Sequence, residues 1–173
     1  IGISFFTFQG LSYVIDVYRE DTPVQKNPLN VALYVSLFPQ LVAGPIERPQ
    51  DLIPQLKTER KFTFDNFIAG SKIVVSGFVK KIVVADTIAV YVNSVYNDVS
   101  HANGLSILIA TLLFAVQIYC DFSGYSDIAI GAAKIMDINL MKNFDTPYFS
   151  QSTPEFWRRW HISLSTWFKD YLY

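Results

Sequence analysis

Three stretches of this 173-residue chain carry polar groups in patterns that could do chemistry. The most concentrated is PEFWRRWHISLSTW, residues 154–167, where His161 stands among three tryptophans and two arginines. An imidazole titrates near ~6.5 and can accept a proton from a hydroxyl, so His161 could be a general base or a substrate-positioning group. Arg158 lies one helical turn away, and a neighbouring cation disfavours the imidazolium and keeps the ring neutral. The alternative is structural: an interfacial aromatic-sized ring with one nitrogen bonded to a carbonyl. Residue type alone leaves both open.

The second stretch, YCDFSGYSDIAIG at 119–131, places Asp121, Ser123, Tyr125, Ser126 and Asp127 directly after an apolar run. Asp121 or Ser123 can cap a following helix that would contain Ile128, Ile130, Ala133 and Ile135. Capping accounts for one or two of these groups, not for all five. Carboxylates at membrane depth are costly and mark paired or functional sites, so a role in organising a polar site stands beside the capping role. The third stretch, LFPQLVAGPIERP at 37–49, is a helix broken by Pro and Gly, and an unwound backbone beside a cavity could also offer amides and carbonyls to a substrate.

The elements that must position these groups are those of a membrane protein. Hydrophobic residues make up 51% of the chain, charged residues 17%, and the mean hydropathy is +0.25; an ordinary soluble domain has ~25% charged residues. Residues 99–120 contain no Asp, Glu, Lys or Arg. As a helix this run would extend ~33 Å, enough for a hydrocarbon core of ~30 Å, and it is predicted to be a transmembrane helix. The uncharged run 1–15 lacks a basic leader and is expected to be the remainder of an element, not a signal peptide. The run 27–46 is long enough to span, but Pro39, Gly44 and Pro45 predict a broken, re-entrant helix.

Charge gives an orientation. Seven of the fourteen Lys and Arg residues lie between positions 48 and 81, and none lies between 82 and 133. The basic stretch is therefore expected on the cytoplasmic side, with 82–96 running outward, a turn at 97–103, and a return that brings everything from Asp121 onward near the cytoplasm. Lys72, Lys80 and Lys81 are expected to snorkel or face protein at the boundary. Ser152 and Glu155 are spaced as a capping box with Pro154 in the first turn, predicting a helix start. Continued to the end of the chain, that helix would place Phe156, Trp160, Leu164, Trp167 and Tyr171 on one side and Arg159, Ser163, Thr166 and Asp170 on another, an amphipathic interfacial helix.

Several classes are excluded or disfavoured. A single cysteine, Cys120, allows no internal disulfide, and two histidines make no credible zinc set. No metal and no permanently bound cofactor are expected. A net charge of −1 gives no reason to expect nucleic acid, and no glycine-rich phosphate loop is present. A solute or ion transporter, with the polar membrane residues as its path, stays open at this level.

GPIERPQDLIPQL, YCDFSGYSDIAIG and FDTPYFSQSTPEFWRRWHISLSTWFKDYLY together resemble the membrane-bound O-acyltransferase family, and in particular its bacterial polysaccharide-acetylating branch. The resemblance runs in order from ISFFTFQGLSYVIDVYR to the last residue. It implies an all-α, polytopic transmembrane fold with broken, re-entrant and interfacial amphipathic helices. Residues 1–173 would be the central part of one membrane domain, truncated at both ends and inactive alone. It implies a multi-pass enzyme of the bacterial cytoplasmic membrane that passes an acyl group, most simply acetyl from acetyl-CoA or another acyl thioester, toward hydroxyls of an exported, alginate-like polysaccharide. Extracytoplasmic acetylation proteins would be its partners, alongside the lipid bilayer. The related D-alanyl transferases of teichoic acid synthesis are the rival within the class.

By the same resemblance, His161 matches a polar position filled by His, Asn or Asp across the family, and would be the partner of a second histidine in a later hydrophobic segment. His101 lies outside any matching motif. Asp121, Ser123, Tyr125 and Asp127 become expected tunnel-lining groups, and Trp157, Arg158, Arg159 and Trp160 are expected to shape a cytoplasmic entrance for an anionic donor.

Overall fold

The computed structural model describes residues 3–41 and 44–173. A helical hairpin dominates it. The first limb runs through α4 (Phe64–Phe78), a π-helical stretch Val79–Asp86 and α5 (Thr87–Tyr96); after a turn at 97–103, the second limb is α6 (Gly104–Ile135). Each limb has the start its sequence provides. The Thr63 hydroxyl accepts the Asn66 N–H (3.3 Å), and Asn103 Oδ1 accepts the Ser106 N–H (2.8 Å), each satisfying an amide that would otherwise be orphaned in the first turn.

The second limb corrects the expected span. It starts at Gly104 rather than 99 and runs on to Ile135 rather than stopping at 120, a single helix of 32 residues. Asp121 and Ser123 therefore cap nothing; they lie inside a helix. At ~1.5 Å per residue it extends ~48 Å, more than a hydrocarbon core of ~30 Å requires. It is long and apolar enough to cross a membrane. Leu105, Leu108 and Leu112 are exposed along it, an apolar face suited to lipid.

What lets the two limbs touch is a pair of glycine crossings. Gly70 faces Gly131 and Gly77 faces Gly124, so closely that a Cβ built on either glycine of a pair would come within 2.6–2.8 Å of its partner's carbonyl oxygen. No side chain fits there. Small residues allow helix backbones to approach within membranes, where packing rather than hydrophobicity drives association.

Three shorter helices, α1 (Ile3–Tyr18), α2 (Pro28–Ser36) and α3 (Pro49–Lys57), lie in the part of the chain that precedes the hairpin. Tyr34, Val35, Leu37, Leu52 and Ile53 form a core with Ala133 and Ile138, which ties α2 and α3 to the end of α6. The break expected in 27–46 is present: α2 starts at the Asn27 cap with Pro28 in its first turn and ends at Ser36, before Pro39. The chain folds back so tightly that a Cβ on Gly44 would collide with the Pro39 carbonyl. Positions 42 and 43 of that run lie outside the described residues, as do positions 1 and 2 of the opening run, whose helix continues past Asp16 to Tyr18.

The C-terminal helix differs from its expected form. It is two helices, α7 (Thr153–Arg159) and α8 (Ile162–Tyr171), separated by Trp160 and His161. The helix start holds, with the box half formed: Ser152 Oγ accepts the Glu155 N–H, while the Glu155 carboxylate accepts the N–H of Gln151, one residue before the cap. Beyond the break, α8 turns its aromatic face onto α1 instead of continuing the stripe of α7. Trp167 is buried, packs on Phe8 with ring centroids 4.6 Å apart, and donates its indole N–H to Ser12 Oγ at 2.7 Å. Asp170 pairs with Arg48 at 2.6 Å. An interfacial role thus fits α7 but not α8, whose Trp167 is covered by protein. The described residues are all helix, turn and coil.

Candidate active site

His161 occupies the corner between α7 and α8 with φ 45° and ψ 55°, the left-handed region. Few non-glycine residues adopt it, and such outliers persist only where surrounding structure over-determines them. Trp160, just before it, is extended, so the expected helical path is lost over two residues. The corner turns the imidazole inward. It is 9% exposed, meets Phe122 of α6 edge-to-face at 4.7 Å, and lies parallel to Phe144 at 6.5 Å.

Burial pushes its pKa from 6.5 down to about 4, because a charged ring loses hydration it cannot recover among phenyl rings. The ring is neutral at physiological pH, as expected, but for a different reason. The cause is desolvation among the rings, and Arg158 lies exposed.

The corner is braced by an extended strap, 138–145, that joins α6 to the last helices. Its odd-numbered residues are each tied to a different neighbour. Gln55 binds both backbone groups of Asn139 (2.9 and 3.1 Å), and the Glu47 carboxylate accepts the Met141 N–H (2.5 Å). The Asn143 carbonyl accepts the Ile162 N–H and the Asp145 N–H reaches the Arg159 carbonyl, both at 2.9 Å. Asn143 is fully buried and adds side-chain bonds: Oδ1 accepts from the Ser163 amide (3.3 Å) and hydroxyl (2.9 Å), and Nδ2 donates to Ser126 of α6 (3.2 Å).

The other expected site residues divide. Ser123 is buried in α6. Asp121, Tyr125 and Asp127 turn toward the opposite limb, and their partners are the two lysines in its π-helical stretch. Lys81 contacts Asp121 and Asp86 at 2.7 Å each and lies 5.4 Å from the Tyr125 ring; Lys80 contacts Asp127 at 2.6 Å. A π-helical stretch changes the register of the turn, and here consecutive lysines both reach α6. The expectation that these lysines face protein is met, and the carboxylates are paired ones. Around Trp160 an aromatic cluster forms with Phe144 (5.0 Å) and Phe156 (5.6 Å), while Trp157 and Arg158 face outward. Arg159 pairs with Glu155 at 2.6 Å.

The structure therefore joins His161, Trp160 and the Phe122–Ser126 face of α6 in one place, and sets the charged pairs of the hairpin apart from it. Asn143 and Ser163 are the residues sequence reasoning missed; an asparagine in a polar connection carries no signal of its own. Among the described residues, no group of three or more His, Cys, Asp or Glu could hold a metal ion. A cleft of about 400 Å³ opens beside the strap, lined by Lys72, Ser76, Asp127 and Lys142 among others.

Residues 21–173 match the model of a protein family described as MBOAT, the membrane-bound O-acyltransferase family. Over its whole length the chain is 49% identical to the probable alginate O-acetylase AlgI of Pseudomonas aeruginosa, of which it covers 33%. It is 35% identical over 199 aligned residues to the peptidoglycan O-acetyltransferase of Helicobacter pylori, covering 38% of that protein. It is 30% identical over 177 aligned residues to the teichoic acid D-alanyltransferase of Bacillus subtilis, covering 44%. The chain thus spans about a third of the length of the alginate relative.

Proposed function

The chain belongs to the membrane-bound O-acyltransferase family, and on that premise we propose that it is part of an enzyme that acetylates an exported, alginate-like polysaccharide. The donor is a cytoplasmic thioester, acetyl-CoA or a close chemical equivalent. The acetylating relatives, at 49% and 35% identity, support this over D-alanyl transfer, whose relative stands at 30%. Family membership also displaces the transporter reading. The proposed setting is the bacterial inner membrane, crossed several times by the full protein, with extracytoplasmic partners receiving the acetyl group.

In the proposed reaction a hydroxyl of the acetyl acceptor, on the path toward the polysaccharide, attacks the thioester carbonyl: the new C–O bond forms, the C–S bond breaks, and the hydroxyl proton passes by way of imidazole to the leaving thiolate. His161 is the imidazole this segment supplies, acting beside a second histidine of the longer protein. Its chemistry favours that division. A ring whose pKa is about 4 is always ready to accept a hydrogen bond but is a weak base, so it suits orienting and relaying better than deprotonating alone. Asp121, Ser123, Tyr125 and Asp127 are read as groups along the tunnel wall, their charges already paired. Trp157 and Arg158, facing outward on α7, are read as the entrance where the donor's phosphates dock; guanidinium suits phosphate geometry. Arg159 and Trp160 would hold that entrance in shape.

The observation that carries the reading is the corner itself, a buried imidazole held in left-handed backbone among aromatic rings. The test is His161→Gly in the full-length protein, because glycine keeps the left-handed corner without strain. Loss of the buried ring lowers thermal stability by leaving a cavity, so activity is read per folded enzyme, and polysaccharide acetylation should fall at least ~100-fold, the scale for general acid–base groups. Normal acetylation by a folded His161→Gly protein would leave His161 a packing residue.

A further inference from the structure

We infer that Asn143 is a positioning residue for acyl transfer, locking the His161 corner to α6 so that the imidazole keeps one orientation; this rests on the reading of His161 given above. A left-handed non-glycine residue is strained and relaxes unless its neighbours forbid it. Asn143 supplies what forbids it. Its carbonyl takes the N–H of Ile162, immediately after His161, and its side-chain oxygen takes both the amide and the hydroxyl of Ser163, one residue further. Those are the first two residues of α8. On the other side of the corner, the strap's Asp145 N–H holds the Arg159 carbonyl, so the turn is gripped before and after His161 by one extended segment.

The anchor at the far end matters as much. Asn143 Nδ2 donates to Ser126, which lies one helical turn after Phe122, the residue whose ring meets the imidazole. One face of α6 thus supplies both the wall against the ring and the post to which its backbone is tied. Only a carboxamide does this: two lone pairs on Oδ1 serve Ser163, and an N–H serves Ser126. Leucine has the same bulk and none of these groups.

The experiment compares full-length wild type, Asn143→Leu and Ser163→Ala, with His161→Gly as reference, measuring acetyl transfer per folded enzyme against donor concentration. A displacement of ~1 Å at a reacting group costs ~100-fold in rate. Asn143→Leu is therefore expected to lower kcat by ~10–100-fold while KM for acetyl-CoA stays within about twofold. Ser163→Ala, which removes one of the two Ser163 bonds, should lower kcat by a smaller factor in the same direction. Wild-type kcat per folded Asn143→Leu enzyme overturns the inference, as does a rise in KM at constant kcat. If Asn143→Leu does not fold, an unchanged kcat in Ser163→Ala overturns it. If His161→Gly itself retains full activity, it is the reading of His161 that fails, and the two failures are told apart.

Discussion

Replacing Glu47 with glutamine removes a buried acid while keeping the acceptor its neighbour needs. Glu47 is 3% exposed, and its Oε1 takes the Met141 N–H of the strap. Burial raises its pKa from 4.5 to about 7; the Met141 bond and Arg48 pull downward, Asp51 pushes up, and burial prevails. A carboxyl raised in the folded state binds its proton more tightly there than in the unfolded chain. Its contribution to stability is therefore fully present below pH 4.5 and is lost as pH rises through 7. At ~1.36 kcal/mol per pKa unit, the loss amounts to about 3 kcal/mol by pH 8. Glutamine carries no such term. In detergent micelles the full-length Glu47→Gln protein should match wild type near pH 4.5 and exceed it by about 3 kcal/mol at pH 8. Hydrogen exchange of the Met141 amide should slow in parallel. Parallel pH–stability curves for the two proteins would refute the assignment of Glu47 as a buried acid that ionises at a cost.

Gly131→Val should force α4 and α6 apart, since a Cβ there lies 2.6 Å from the Gly70 carbonyl oxygen. A stability loss of at least ~1–3 kcal/mol is expected, while Gly104→Ala, with open space around it, serves as the neutral control; thermal unfolding of both variants checks this. Arg158→Ala, at an exposed position, should leave stability within ~0.5 kcal/mol yet raise KM for acetyl-CoA if Arg158 docks the donor; an unchanged KM under steady-state assay removes it from the entrance.

The span was legible in the sequence because a run of 22 residues without a charge has few other uses, and the start of α7 was legible because Ser152, Pro154 and Glu155 form a local signal. Its interruption was not. Nothing in WRRWHISLS breaks a helix: no proline, no glycine, and periodic apolar residues throughout. The corner comes from bonds to a strap about twenty residues earlier, a long-range effect that local propensity cannot anticipate. The pairing of Asp121 and Asp127 was half visible, as costly carboxylates in search of partners, but the identity of Lys81 and Lys80 depends on the π-helical register. The glycine crossings did leave a trace. Gly70 and Gly77 are separated by seven residues, and so are Gly124 and Gly131, a matched spacing of two helical turns that marks both limbs of one interface.

The left-handed backbone at 161 also sets a limit on what can evolve there. Beyond glycine, the residues that enter this region more readily than average are asparagine, aspartate and histidine, the same small set that the resemblance implies for this position. Any chemistry asked of position 161 must therefore draw on a shortlist set by the main chain. A lysine, glutamate or serine with useful reactivity would have had to bear the strain of the turn first, and a randomised library at position 161 should return folded protein mainly from those few letters.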